Sequence, residues 1–311
     1  MDFDHGISAI DTGFFRPRFD ASHLIVEHDR AAFVDVGTNH SVPLLLAALS
    51  EKNLPVESVD HVILTHVHLD HAGGAGALMQ HLPNARLLVH PRGARHMIDP
   101  TQLITGATAV YGAEEIRRSY GDLLPVDAAR VDIANDGHVI ELAGRELLCL
   151  DTPGHARHHM SLYDARSCAF FPGDTFGLSY REFDTDNGAF ILPTTTPVQF
   201  EPEALHSSIE RMLGYAPQQM FLTHYSRVTE VSRLAQDLHE QIDAMTSIAR
   251  AHAGDADRHA HITAALADLY ISRAHAHGCA FDAARVRELL AMDIELNAQG
   301  LEVWLDRQRQ A

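Results

Sequence analysis

Apolar residues fall in short blocks through the first two thirds of the chain and in helical stripes through the last third. "HLIVEHD" and "AAFVDVG" have the look of paired strands, with Asp29 and Arg30 at the turn between them. In "SVPLLLAALSEKNL" the apolar positions recur three and four apart, which predicts a helix with Ser41 as its N-cap. "HVILTH" then reads as a strand, "GAGALMQHL" as a short helix and "ARLLVH" as another strand. This β–α–β rhythm predicts a layered α/β architecture. Residues 93–125 interrupt it with a helical insertion broken at Pro100. Strands resume in "HVIELAG", "RELLCLDTP", "MSLYDA" and "CAFFPGD". A loop-like stretch, "REFDTDNGAFILPTTTPVQFEP", leads to the helix "EALHSSIERML" and the strand "QMFLTHY".

Beyond about residue 229 the pattern is wholly helical. Val231, Leu234, Leu238, Ile242, Met245 and Ile248 form one stripe, and Ile262, Leu266 and Leu269 a second. Val286, Leu290, Ile294, Leu301 and Trp304 form a third. Such faces fit core packing or pairing with a second copy of the chain. The expected division is therefore an α/β domain over 1–228 and a helical extension over 229–311.

Composition narrows the partners. The 311 residues are 46% hydrophobic and 21% charged, which is globular. No apolar run approaches the roughly 18 residues of a membrane span, and the start lacks a basic region followed by an apolar core. A cytoplasmic location is the expectation. Cys149, Cys168 and Cys279 are scattered without a CxxC, and two of them lie in apolar runs, as buried thiols do. The formal net charge of −18 disfavours nucleic acid and anionic membrane surfaces. With 23 histidines present, no single one is informative and only spacing counts.

One spacing stands out. "HVHLDH", residues 66–71, places His66, His68, Asp70 and His71 directly after an apolar run. In an extended segment His66 and His68 point the same way, while Asp70 and His71 follow where the chain turns into a helix. Two ligand pairs can then face two adjacent sites, and imidazole with carboxylate suits zinc, iron or manganese. His155, Asp174 and His224 each sit at the end of another strand-like run, where a rigid scaffold presents polar groups on loops.

With these residues the chain resembles the metallo-β-lactamase fold superfamily. The shared marks are the HxHxDH block, "TPGH" ending at His155, "GD" ending at Asp174 and "TH" ending at His224, over about residues 5–228. The resemblance implies an αββα sandwich with two divalent metal ions at one edge, zinc first, iron and manganese fitting the same donors. Carried over by position, His66, His68 and His155 bind one ion; Asp70, His71 and His224 bind the other; Asp174 bridges them. Asp35 matches an aspartate that supports the ligand loop. Aspartate at 174 points to the glyoxalase II-like, lactonase-like and phosphodiesterase-like branches rather than to true β-lactamases. "TPGHARHH" departs from the common "TPGHTxGH", with Ala156 and His158 in place of threonine and glycine, while His159 keeps the second histidine.

The implied function is hydrolysis of a small ester, thioester or lactone by a metal-bridging hydroxide, with Asp70 both ligating and orienting the nucleophile. Tyr225 and Tyr180 are candidate donors to the developing oxyanion, and Tyr111 and Tyr120 candidate lid residues. Two divalent ions, two ligand carboxylates and a hydroxide leave a residual charge of about +1, which favours an anionic small-molecule substrate. The alternatives are a phosphodiesterase of small molecules, an iron-dependent dioxygenase, and a metal-containing regulatory or binding protein. The helical extension is expected to cover the site or to pair two copies.

Overall fold

The structure, a computed structural model, describes residues 1–195 and 198–310 and divides into two compact units. The first gathers Met1–Asp151, His158–Gly173 and Pro217–Arg227, and the second gathers Thr152–Arg157, Asp174–Ala216 and Val228–Ala311.

Two six-stranded mixed sheets build the first unit. One runs in the order β1 (Ile7–Asp11), β2 (Ala21–Glu27), β3 (Arg30–Val34), β4 (Val59–Ile63), β5 (Arg86–Val89) and β6 (Val131–Ile133). Its first three strands are antiparallel neighbours, and the pairs from β3 to β6 are parallel. The expected hairpin is β2–β3, turned by His28 and Asp29 at positive φ. The other sheet starts with β7 (Val139–Leu142), β8 (Arg145–Asp151), β9 (Met160–Asp164) and β10 (Ala169–Phe171). It continues to β11 (Gln219–Leu222) and β12 (Ser226–Val228).

Alternation decides which residues fill which core. From β2, β3 and β4, the side chains of Ile25, Val34 and Ile63 face Leu147, Cys149, Leu162, Phe171 and Phe221 of the other sheet. The opposite set, Leu24, Phe33, Val62 and Leu87, packs under helices. These are α1 (Val42–Glu51), through Leu45 and Leu49, and α3 (Ala75–His81), through Leu78 and Met79. A one-turn helix, α2 (Leu69–Ala72), precedes α3. The insertion forms α4 (Pro91–Ile98), α5 (Thr101–Tyr111) and α6 (Ala113–Tyr120). Pro100 separates the first two as expected, and Gly112, at positive φ, separates the last two.

Ser41 precedes α1 but does not cap it by its side chain. Its hydroxyl donates back to the carbonyls of Val36 and Thr38, because the residue is already in a helical conformation. Cys149 is buried between the sheets, whereas Cys168 is half-buried at the turn before β10, contrary to a fully buried thiol.

In the second unit, α7 (Pro202–Leu213) is followed in chain order by α8 (Val231–Ala251), α9 (Arg258–Ala276), α10 (Ala283–Leu289) and α11 (Ala291–Gln308). Val231, Leu234, Leu238, Ile242 and Met245 are buried as their stripe predicts, and so are Ile262, Leu266, Val286, Leu290, Ile294, Leu301 and Trp304. Ile248 and Leu269 lie half-buried at the edges of their stripes. Among the described residues, no helix is long and apolar enough to cross a membrane.

Candidate metal centre

The strand β4 stops at Ile63, and the HxHxDH block lies in the loop beyond it, running into α2. One buried carboxylate organises this loop. Asp35, at positive φ just after β3, accepts hydrogen bonds from the Thr65 amide (2.8 Å) and hydroxyl (2.8 Å), from His71 Nδ1 (2.7 Å) and from the Thr223 hydroxyl (2.9 Å). Thr65 precedes His66 and Thr223 precedes His224. Asp35 thus ties the ends of β3, β4 and β11 together, the supporting role the resemblance implies.

Three of the histidines, His71, His155 and His224, are oriented through one ring nitrogen, so that the other faces a carboxylate. His71 gives Nδ1 to Asp35 and turns Nε2 toward Asp70 Oδ2, 3.8 Å away. His224 donates from Nδ1 to the Phe19 carbonyl at 2.8 Å, leaving Nε2 3.4 Å from the same Asp70 oxygen. In the second unit, His155 donates from Nδ1 to the Thr194 carbonyl at 3.2 Å and presents Nε2 3.2 Å from Asp174 Oδ2. A backbone carbonyl accepts only, so it fixes the tautomer with the proton on Nδ1 and the lone pair on Nε2. That is the arrangement expected of metal-ligating histidines.

His66 and His68 complete the first unit's set. His66 Nε2 and His68 Nδ1 lie 2.7 Å apart with the rings nearly perpendicular, and His66 Nδ1 is 3.1 Å from the Thr65 hydroxyl. Asp70, His71 and His224 each offer an atom within 4.8 Å of the others, close enough to share an ion. Around a tetrahedral cation with bonds of about 2.0–2.1 Å, ligand atoms stand roughly 3.3 Å apart. The separations of 3.2–3.8 Å match that spacing.

The other expected residues have varied settings. His159 is fully buried, its ring stacked on His66 at 4.8 Å, and His158 stands edge-on to His68 at 5.3 Å. Gly173 turns the chain at φ 51 ahead of Asp174, and a Cβ there would stand 2.6 Å from both His159 Nε2 and Thr65 Oγ1. Only glycine fits that approach. Tyr225 is buried with Ala9 and Ala21. Tyr180 is buried in the second unit and donates its hydroxyl to Asp293 at 3.0 Å. Tyr120 packs its ring on Phe14, and the side chain of Tyr111 lies outside the described residues.

Three polar residues had no sequence signal. Thr65 and Thr223 are tied to the distant Asp35, and Thr65 also meets the His66 ring. Asp20, fully buried, accepts from the Thr12 hydroxyl at 2.7 Å. Burial pushes its carboxyl up to about 7, against the pull of the His224 and His71 imidazoles.

A family model described as the metallo-beta-lactamase superfamily matches residues 16–224. A metallo-beta-lactamase fold-containing protein of Sulfurisphaera tokodaii is 29% identical over 174 residues, 54% of this chain and 61% of that protein's length. A hydroxyacylglutathione hydrolase of Salmonella typhi is 22% identical over 233 residues, covering 71% of this chain and 78% of that protein. The solved structure of an archaeal superfamily protein from Sulfolobus tokodaii shares the fold with a TM-score of 0.67 at 21% identity, over 96% of this chain and 98% of that one.

Proposed function

Because the chain belongs to the metallo-beta-lactamase superfamily, we propose that it is a metal-dependent hydrolase using two divalent cations on a small ester, thioester or lactone. His66, His68 and His155 are assigned to one cation, Asp70, His71 and His224 to the other, and Asp174 to both. The observation that carries the reading is the common orientation of His71, His155 and His224. Each has Nδ1 engaged outside the ligand set and Nε2 facing a ligand carboxylate. When bound, the cations lower the pKa of a water toward neutrality and polarise the scissile group.

The chain's own residues do the rest. Asp70 turns Oδ2 toward both His71 and His224, would hold a cation with them, and is the carboxylate that would orient the attacking water. Asp35 holds His71 and the threonines before His66 and His224, so the site is preorganised before substrate arrives. Tyr225, next to a ligand, is the proposed donor to the oxygen that gains charge. The Tyr180 hydroxyl, engaged by Asp293, is assigned to holding the second unit. The likeness to a hydroxyacylglutathione hydrolase favours an acyl thioester over the other two substrate types.

The test is a panel of acyl thioesters, lactones and small phosphodiesters with protein loaded with zinc, manganese or iron. Thioester turnover that disappears in Asp174→Ala is the expected result. Oxygen uptake with the iron form alone, or no turnover of any ester by any metal form, overturns the reading.

A further inference from the structure

A second set of imidazoles lies in the helical part of the second unit, where no strand end is involved. The chain leaves α8 at Ala251 and enters α9 at Arg258. The connection carries His252 and Asp255, and the first turn of α9 carries His261. His252 Nδ1 lies 2.8 Å from Asp255 Oδ2, and His261 Nδ1 lies 2.7 Å from the same oxygen. The two rings stand 5.4 Å apart at 49°. One donor atom from each residue falls within 4.8 Å of the other two.

Two imidazole nitrogens and one carboxylate oxygen from ten consecutive residues make a compact N2O set. Borderline divalent cations take such sets, filling the remaining position with water. The connection also borders a cleft of about 750 Å³ lined by residues 253–260, Glu302 and Arg309, so water and ions reach it. The cleft's own cationic groups have other partners. Arg258 pairs with Glu302 and Asp306, His259 with Glu295 and Glu302, and Arg309 donates to the Ala253 carbonyl. Of the connection's two carboxylates, Asp255 and Asp257, it is Asp255 that meets the two histidines.

We propose that His252, Asp255 and His261 bind a divalent cation of the zinc class, which clamps the end of α8 to the start of α9. Without the ion, both imidazoles carry Nδ1–H and donate to one carboxylate oxygen. With it, each neutral ring shifts its proton to Nε2, both Nδ1 lone pairs turn to the cation, and Asp255 keeps its charge. The donor atoms must open from 2.7–2.8 Å to the roughly 3.3 Å spacing of a tetrahedral shell, a small movement for half-exposed side chains.

Zinc titration of metal-stripped protein tests this, with bound metal counted after dialysis and melting followed in parallel. The unchanged chain is expected to bind one zinc more than His252→Ala/His261→Ala. Asp174→Ala, altered in the other ligand set, is expected to keep this zinc. Asp255→Asn, which preserves shape, should weaken it about 100-fold, the upper end of what even an outer-partner loss costs. Zinc should raise the melting temperature of Asp174→Ala through this site, and the rise should shrink when His252 and His261 are also replaced. Equal zinc content in the unchanged chain and the double variant overturns the proposal, whatever the catalytic result.

Discussion

The two histidine sets differ in where their ring nitrogens are anchored. Around the HxHxDH loop, His71 and His224 send Nδ1 to Asp35 and to the Phe19 carbonyl, groups that are not themselves ligands in the proposed centre. In the α8–α9 connection, His252 and His261 send Nδ1 to Asp255, which is one of the three donors. His71, His155 and His224 are therefore held in binding geometry by their surroundings, whereas His66 and His68 also lean on each other at 2.7 Å. The second set holds itself together and must rearrange to take an ion. Burial separates the sets only in part: the first set's imidazoles are buried or half-buried, His252 is half-buried and His261 is exposed. The lesson is that affinity resides in the partners behind the ligands as much as in the ligands.

The largest expected effect breaks the buried set outright. Asp174→Ala should lower turnover at least about 1,000-fold, measured as kcat/KM on the best ester or thioester, because a proposed bridging ligand is lost. The same change should leave the α8–α9 zinc in place. Asp35→Asn sharpens the comparison by removing only the backing. It should weaken metal binding by the buried set about 10–100-fold in an equilibrium competition with a chelator, since His71 loses its carboxylate and the two threonines lose their anchor.

Asp20 tests the electrostatics behind His224. Its carboxyl sits at about 7 when folded, above the usual 3.8, so the folded chain keeps a proton that the unfolded chain releases. Stability from this group is therefore complete near pH 4, falls as pH rises toward 7, and stays lost above it. Asp20→Asn should raise the melting temperature of metal-free protein at pH 8 by at least about 2 °C, with little change at pH 4.

His23 gives the opposite sign in the same unit. Buried against Phe171 and Phe221, its imidazole is pushed down to about 4 from 6.5, so its contribution is present at neutral pH and lost as pH falls from about 6.5 to 4. His23→Phe should flatten the acid side of the melting curve. The smallest effect belongs to His261→Ala, expected to change kcat/KM less than about twofold, because an exposed group that is not among the seven residues assigned to the two catalytic cations carries little of the barrier.

Much of this organisation is legible in the chain itself. His66, His155, Asp174 and His224 each follow an apolar block, because the sandwich core demands those blocks and the proposed ligands come after them. Asp35 is legible only through a resemblance, since one aspartate after a strand looks like any turn. Thr65, Thr223 and Asp20 leave no trace, because their roles depend on partners 30, 188 and 8 residues away that periodicity cannot pair. The strands β6 and β12, three residues each, are too short for alternation to register. His252, Asp255 and His261 are hidden for another reason: spacings of three and six in a histidine-rich chain look like surface scatter until the turn folds them onto one oxygen.

One carboxylate bonded to the Thr65 amide and to the side chains of His71 and Thr223, on two separate loops, has a mechanical consequence. Because Asp35 grips Thr65, His71 and Thr223 at once, those loops share a single latch and should open together or not at all. Amide deuteration near these three residues would then proceed at one common, slow rate, and losing that carboxylate would let each loop exchange at its own pace.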